Sequence, residues 1–358
     1  THINFNVNEQ KLSTPSDLDW MFECAEDVWQ ELRDVRLFLT GGTGFFGRWL
    51  LESLVRANQQ LKLNSEILVL SRNSKAFAKL APHLANNPAI SLQTGDVRNF
   101  DFPQKKITHI IHAATTTAKE TFFGADPLKK FDTIVEGTRR VLDFAVHCKA
   151  KKFLMTSSGS AYGKQPSGMT HITEDYTGAP HTTDINFDRS ALGEGKRAAE
   201  MLCTIYQEKY EIEVKIARCF SFVGPGLPLN IHYAIGNFIR DCLNGGPIYV
   251  NGDGTPERSY LYITDLIYWL WTILAKGQPG QIYNVGSDQS VTMKDLAYLV
   301  RSCANLKCEV LFGNHSTTNH CNNRYVPSIK RAREELNLDV RTPLKEAIKK
   351  SYNYYNKK

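Results

Sequence analysis

From Val35 onward, short apolar runs alternate with longer stretches whose apolar positions recur at helical spacing. Val35 to Leu39, Ile67 to Leu70, Ile90 to Leu92, Ile107 to Ile111, Phe153 to Met155 and Val214 to Ala217 are the runs, and each is too short to be a helix. Near-continuous apolar runs of this length fit strands covered on both faces, the pattern of a parallel sheet flanked by helices. The stretch Arg48 to Ala57 predicts the first covering helix. Ahead of the sheet, residues 1 to 13 are polar, and Thr14-Pro15-Ser16-Asp17 reads as a helix start with Thr14 as N-cap, Pro15 in the first turn and Asp17 at the box position. Leu18, Met21, Phe22, Ala25, Trp29 and Leu32 then mark an accessory helix whose stripe serves packing. After Gly224-Pro225-Gly226 the pattern becomes mixed, with a helix near Ile235 to Leu243, a turn at Gly252-Asp253-Gly254 and a last strand at Ile282 to Val285.

The first apolar run leads into Thr40-Gly41-Gly42-Thr43-Gly44-Phe45-Phe46-Gly47. Glycines at these offsets let a strand turn sharply into a helix while backbone N–H groups approach a diphosphate. Gly41 takes the tight turn, Gly44 lets the backbone come close to phosphate, and Gly47 lets the helix pack. The fold class expected is therefore α/β, a Rossmann-type doubly wound parallel sheet with a smaller C-terminal substrate lobe. Three regions follow: an N-terminal extension over 1–34, a dinucleotide-binding domain over 35–225, and a substrate lobe over 226–358 whose strand near 282–285 returns to the sheet.

At 358 residues the chain is long enough for a substantial core. Its net charge of +6 is spread along the sequence, with no basic patch interleaved with aromatics, so nucleic acid is not an expected partner. Eight cysteines are scattered without a C-x-x-C pair or histidines at ligand spacing. No metal is expected, and reduced thiols in a cytoplasmic setting follow. No apolar run is long enough to span a bilayer and no export signal is present, so a membrane is not an expected partner either.

The strand ends carry the candidate chemistry. Ser71-Arg72 closes the second strand, where NAD-preferring folds place an acid to hold the adenosine ribose; Arg72 can pair with a 2′-phosphate, so the cofactor is NAD or NADP with a lean to NADP. After the third strand, Gly95-Asp96-Val97 offers Asp96 to the adenine amino group and Val97 to its ring. After the fourth, His112-Ala113-Ala114 lets Ala113 and Ala114 approach the ribose and diphosphate, with His112 a satisfied structural group rather than a base. Arg218 reads as the partner of a buried carboxylate. Together with the glycine turn, Ser157-Ser158, Tyr162-Gly163, Glu194-Gly195-Lys196-Arg197, Gly224-Pro225 and Gly252-Asp253-Gly254 followed by Arg258, these residues resemble the extended short-chain dehydrogenases/reductases of the nucleotide-sugar epimerase and dehydratase family.

That resemblance implies a held nicotinamide cofactor, lying against Gly41, Gly44, Phe45, Phe46 and Gly47, that takes a hydride from a sugar carbon and returns it. It implies Ser158 as hydroxyl donor to the developing oxyanion, Lys196 as the cation beside the base and on the cofactor ribose, Tyr162 in the wall of the sugar site, and Arg258 as the clamp on the substrate diphosphate. One position departs: the family's catalytic tyrosine lies four residues before the lysine, and here that residue is Leu192. Tyr162 is the best surrogate base by residue type, and Glu194 a weaker one. Gly159 and Ser160 stand where the family's 4,6-dehydratases carry an Asp-Glu pair, which favours epimerisation. The alternatives are a dehydratase or reductase with unusual acids, and a cofactor-binding pseudoenzyme. Helices near Phe131 to Val146 and Leu192 to Tyr206, through Ile134, Val135, Val141, Leu142, Met201, Leu202 and Ile205, are expected to pair across a two-fold axis in a homodimer.

Overall fold

Alternate residues of each strand reach opposite faces of a pleated sheet, and the two faces here are both dry. Leu37 and Leu39 of β1 (Arg36–Thr40) enter one apolar cluster while Phe38 between them enters another. Ile67 and Val69 of β2 (Glu66–Ser71) oppose Leu68 and Leu70 in the same way. This two-sided burial is why the strands read as unbroken apolar runs. The computed structural model describes residues 12, 15–24, 26–115, 126–183, 188–231, 233–313 and 323–357; Thr14, Ala25, Cys321 and nearly all of residues 1–13 lie outside them.

β3 (Ile90–Thr94), β4 (His109–His112), β5 (Lys152–Ser158) and β6 (Glu213–Cys219) complete the sheet with the strand Ile282–Val285. The seven strands run in the order Ile282–Val285, β6, β5, β4, β1, β2, β3, and every pairing is parallel. The order reverses direction between β1 and β4, so the crevice at their carboxyl ends is the switch point where such sheets bind ligands. One face is covered by the helices Pro127–His147 and Asp188–Tyr210, the other by Phe45–Leu61 and Ile263–Lys276. Trp271 of the last donates to Ser53 Oγ at 2.8 Å, joining the two helices of that layer.

The N-terminal region packs as its stripe requires. It forms two helices, Pro15–Cys24 and Glu26–Glu31, and Leu18, Met21, Trp29 and Leu32 are buried in the core. Trp29 Nε1 donates to Met21 O at 3.0 Å, which ties the second helix to the first. In the C-terminal part, the helix Ala234–Leu243 matches the predicted one, and short strands Val291–Thr292, Glu257–Arg258 and Arg324–Tyr325 form a small sheet in that order. No helix among the described residues is long and apolar enough to cross a membrane.

Candidate active site

The glycine turn sits at the switch point. Gly41 has φ +75°, and a Cβ there would lie 2.7 Å from the backbone of Ala113. At Gly47 a Cβ would lie 2.3 Å from Gly41 O and Gly42 Cα, so the helix can begin only because both positions lack side chains. Gly42, which carried no role in the sequence reading, is equally constrained, 2.6 Å from Val69. Gly44 differs: a Cβ would meet only Gly41 O, at 3.4 Å, and otherwise open space in front of the first helical turn. No side chain caps the helix Phe45–Leu61. Its first amide groups and dipole therefore face that space, a cradle suited to a diphosphate. Phe46 packs edge-on against Phe222 at 5.1 Å, and Phe45 packs 5.9 Å from Phe46.

β1 and β4 are locked together where they meet this turn. Thr138 Oγ1 donates to Ile134 O at 2.6 Å, so it accepts from His112 Nε2 at 3.0 Å. The other ring nitrogen, Nδ1, then accepts from Thr40 Oγ1 at 2.8 Å, and the same oxygen accepts from Ala114 N at 3.1 Å. Burial holds the imidazole neutral, its pKa pushed down to about 3. His112 is thus a structural pin that sets Ala113 and Ala114 against Gly41.

After β3, Asp96 accepts from Arg98 Nε at 3.0 Å, Nη2 at 3.1 Å and the Arg98 backbone at 2.9 Å. Arg98, with a smaller effect from Arg72, holds its carboxyl below the usual range. Asp96 therefore works first as the anchor of Arg98, a role its motif did not reveal. Arg72 is exposed at the end of β2, close enough to act on Asp96. Val97 is buried against Gly137, where a Cβ would come within 2.8 Å.

The candidate reaction groups lie at the close of β5. Ser158 Oγ accepts from Ser160 N at 3.1 Å, which leaves the hydroxyl proton to donate. Lys196 is buried and donates to Thr156 O at 2.7 Å; burial brings its ammonium down to about 8. Leu192, one helical turn earlier, packs against the apolar cluster beneath the helix. Glu194 pairs with Arg197 at 3.8 Å. Tyr162 does not suit the surrogate role: its hydroxyl is buried, donates to Asn284 Oδ1 at 2.7 Å, and burial pushes its pKa up to about 12. Such a phenol holds its proton at neutral pH.

Behind this site stands a pair that the sequence signalled only on one side. Arg218 forks onto Glu200 at 2.9 and 2.6 Å, both side chains buried, and Ser157 Oγ donates to the same carboxylate. The guanidinium also lies 4.3 Å from the Tyr162 ring centre. Asn284 is a second hub, donating to the carbonyls of Ile172 and Ser328 while accepting from Tyr162. In the small sheet of the C-terminal part, Arg258 donates to Glu257 O at 2.8 Å and Asn323 O at 2.9 Å, and neighbouring Arg324 forks onto Glu257 at 3.1 and 2.7 Å.

Known proteins resemble this chain in sequence and in fold. A sequence model described as the NAD dependent epimerase/dehydratase family matches residues 37–286. UDP-glucuronic acid decarboxylase 1 of Arabidopsis thaliana is 29% identical over 315 residues, covering 88% of this chain and 68% of that protein. Among solved structures, UDP-glucose 4-epimerase of Thermotoga maritima with UDP-glucose superposes with a TM-score of 0.76 at 19% identity, covering 90% of this chain and 99% of that one. UDP-glucuronic acid 4-epimerase of Bacillus cereus, in complex with UDP-glucuronic acid and NAD, gives the same TM-score at 21% identity and the same coverage.

Proposed function

The chain belongs to the NAD dependent epimerase/dehydratase family, and from that premise we propose that it modifies a nucleotide sugar, most simply a uridine diphosphate sugar, by reversible oxidation of a ring carbinol. The observation that carries the reading is the pairing on one strand of Ser158, with a proton to donate, and the anchor Thr156 O of buried Lys196. Gly41, Gly44 and Gly47 would hold a nicotinamide cofactor's diphosphate, and Arg72 would favour one bearing a 2′-phosphate. When bound, that cofactor supplies the hydride acceptor and donor. Ser158 donates to the carbinol oxygen as charge develops there, and Lys196 keeps a cation beside it. Arg258 faces the substrate diphosphate, its guanidinium fixed by Asn323 and the Glu257 carbonyl.

Epimerisation suits these residues better than dehydration, because neither Gly159 nor Ser160 brings a carboxyl to the site. Oxidation of a uronic acid followed by loss of carbon dioxide is the second reading, favoured by the activity named for the Arabidopsis relative. Incubating the protein with UDP-glucuronic acid, UDP-glucose and dTDP-glucose, and resolving products by mass and NMR, separates them. An epimer supports the first, a pentose product the second, and unchanged sugars in both the parent and its Leu192→Tyr variant would remove the reading.

We also propose a homodimer, on a narrower surface than the sequence suggested. Ile134, Val141, Leu142 and Leu202 are buried within the protomer, whereas Leu128 (65% exposed), Met201 (61%) and Ile205 (48%) face outward from the same two helices. Two helices presenting large exposed apolar side chains beside one another fit a self-complementary interface.

A further inference from the structure

We infer that Cys242 and Cys308 form a dithiol site that closes to a disulfide by exchange with a low-molecular-weight disulfide such as oxidised glutathione, and so fastens the strand Val310–Phe312 to the helix Ala234–Leu243. The inference stands apart from the nucleotide-sugar reading, in which neither residue has a part. Its basis is the way the chain turns after that helix. Gly245 N donates to Cys242 O at 3.0 Å and Gly246 N to Asp241 O at 2.8 Å, which folds the backbone back over the helix end. Both glycines have positive φ, +88° and +82°, as such a turn requires. Gly246 is bare for a second reason: a Cβ there would lie 2.3 Å from Cys308 Cβ and 2.8 Å from its sulfur. Cys308 is thus seated on the turn that closes against Cys242, and the two thiols are in hydrogen-bonding contact. Closing a bond between them asks for side-chain rotation rather than a rearranged fold.

The surroundings hold both segments in place. Arg301 donates to Cys308 O at 3.1 Å, Ile248 N donates to Glu309 O at 2.9 Å, and from Val310 onward the chain pairs in parallel with Ile248–Val250. Asp241, the residue before Cys242, accepts from Tyr249 N at 3.2 Å, so one strand is tied to the segments of both cysteines. The thiols differ in access. Cys242 is 2% exposed, and burial, with a smaller effect from Cys308, pushes its pKa up to about 12. It keeps its proton and is poorly suited to attack first. Cys308 is half-buried and within reach of a small molecule. In the exchange, the Cys308 thiolate attacks one sulfur of the small disulfide, whose S–S bond breaks and releases one glutathione. Cys242 then gives its proton to water and attacks the Cys308 sulfur, expelling the second glutathione. Two cysteine thiols are oxidised, one disulfide is reduced to two thiols, and two protons pass through water from the cysteines to glutathione.

Incubating the full chain with oxidised glutathione, alkylating the remaining thiols and reading the digest by mass spectrometry tests this. The expected result is a linked Cys242–Cys308 peptide, the loss of two of the eight thiols, and a melting midpoint raised by about 3 °C or more, all reversed by dithiothreitol. Cys242→Ala should stop at a glutathione adduct on Cys308, and Cys308→Ser should leave Cys242 a free thiol under the same conditions. If either variant fails to fold, the parent alone decides. Full retention of the eight thiols, glutathione left on Cys308 in the parent, a bridge from either residue to another cysteine, or a linked pair whose midpoint does not rise overturns the inference.

Discussion

The turn Gly41 to Gly47 and the helical turn Leu192 to Lys196 meet the same sheet at β1 and β5, the strands on either side of β4, and they differ in completeness. In the first, every glycine either makes the turn possible or leaves open space before unpaired amide groups, and His112 pins β1 to β4 beside it. In the second, the candidate cation and hydroxyl donor are held in place, but the residue one turn before Lys196 is a half-buried apolar side chain packed against the core. The two turns depend on different physics. A cradle is built from backbone and the absence of side chains, so it is all or nothing. A reaction centre is a set of separate functional groups, and one can be lost while the others keep their geometry.

The largest effect expected of any substitution that probes this difference is at Gly44. Gly44→Val puts a branched side chain where the diphosphate would lie, and losing two charge-assisted hydrogen bonds costs about a thousand-fold in affinity. The fold should survive, since a Cβ at Gly44 meets only Gly41 O. Titrating the variant with NAD and NADP while recording its melting curve checks both halves. Gly47→Ala, whose methyl would press on Gly41 and Gly42, should instead lower the melting temperature; equal behaviour of the two variants would break the comparison.

Next comes the support of the reaction end. Glu200→Gln leaves Arg218 buried without its counter-charge, and breaking such a pair costs about 3 kcal/mol or more. Denaturant unfolding measures it, and a loss below about 1 kcal/mol would mean that water or Tyr162 satisfies the guanidinium.

The smallest is a slope with pH. His112 has its folded pKa pushed from 6.5 down to about 3, and His109, also desolvated, down to about 4. Unfolding therefore takes up protons below pH 6.5. The stability that these rings permit is complete above 6.5 and falls as pH drops toward the folded values, by up to about 1.4 kcal/mol per unit for each ring. His112→Asn should flatten this limb in unfolding curves between pH 6 and 4, and an unchanged slope would assign the acid sensitivity elsewhere.

The difference between the two turns also explains what the sequence made legible. Glycine spacing is a local steric statement, so the turn, its strand and its helix could be read from eight adjacent residues. Leu192 was equally plain because it sits one turn from Lys196. Contacts made across the fold were not. Arg218 showed that a carboxylate was needed but not that Glu200 was the partner, and Asn284 gave no sign of gathering Tyr162, Ile172 and Ser328. Tyr325 reaches Gly159 only through the small sheet of the C-terminal part, whose two-residue strands carry no periodicity. The helix Ile263–Lys276 escaped for another reason: it is buried nearly all round, so its apolar run lacks the one-sided stripe that marks a surface helix.

The central claim, a complete cradle beside a reaction centre short of its phenol, is tested most directly by measuring cofactor affinity and the rate of cofactor reduction together in the parent and in Leu192→Tyr. The account predicts affinities within about two-fold of each other, with reduction by the nucleotide sugar at least about a hundred-fold faster in the variant. A parent that reduces its cofactor as fast as Leu192→Tyr does would contradict it.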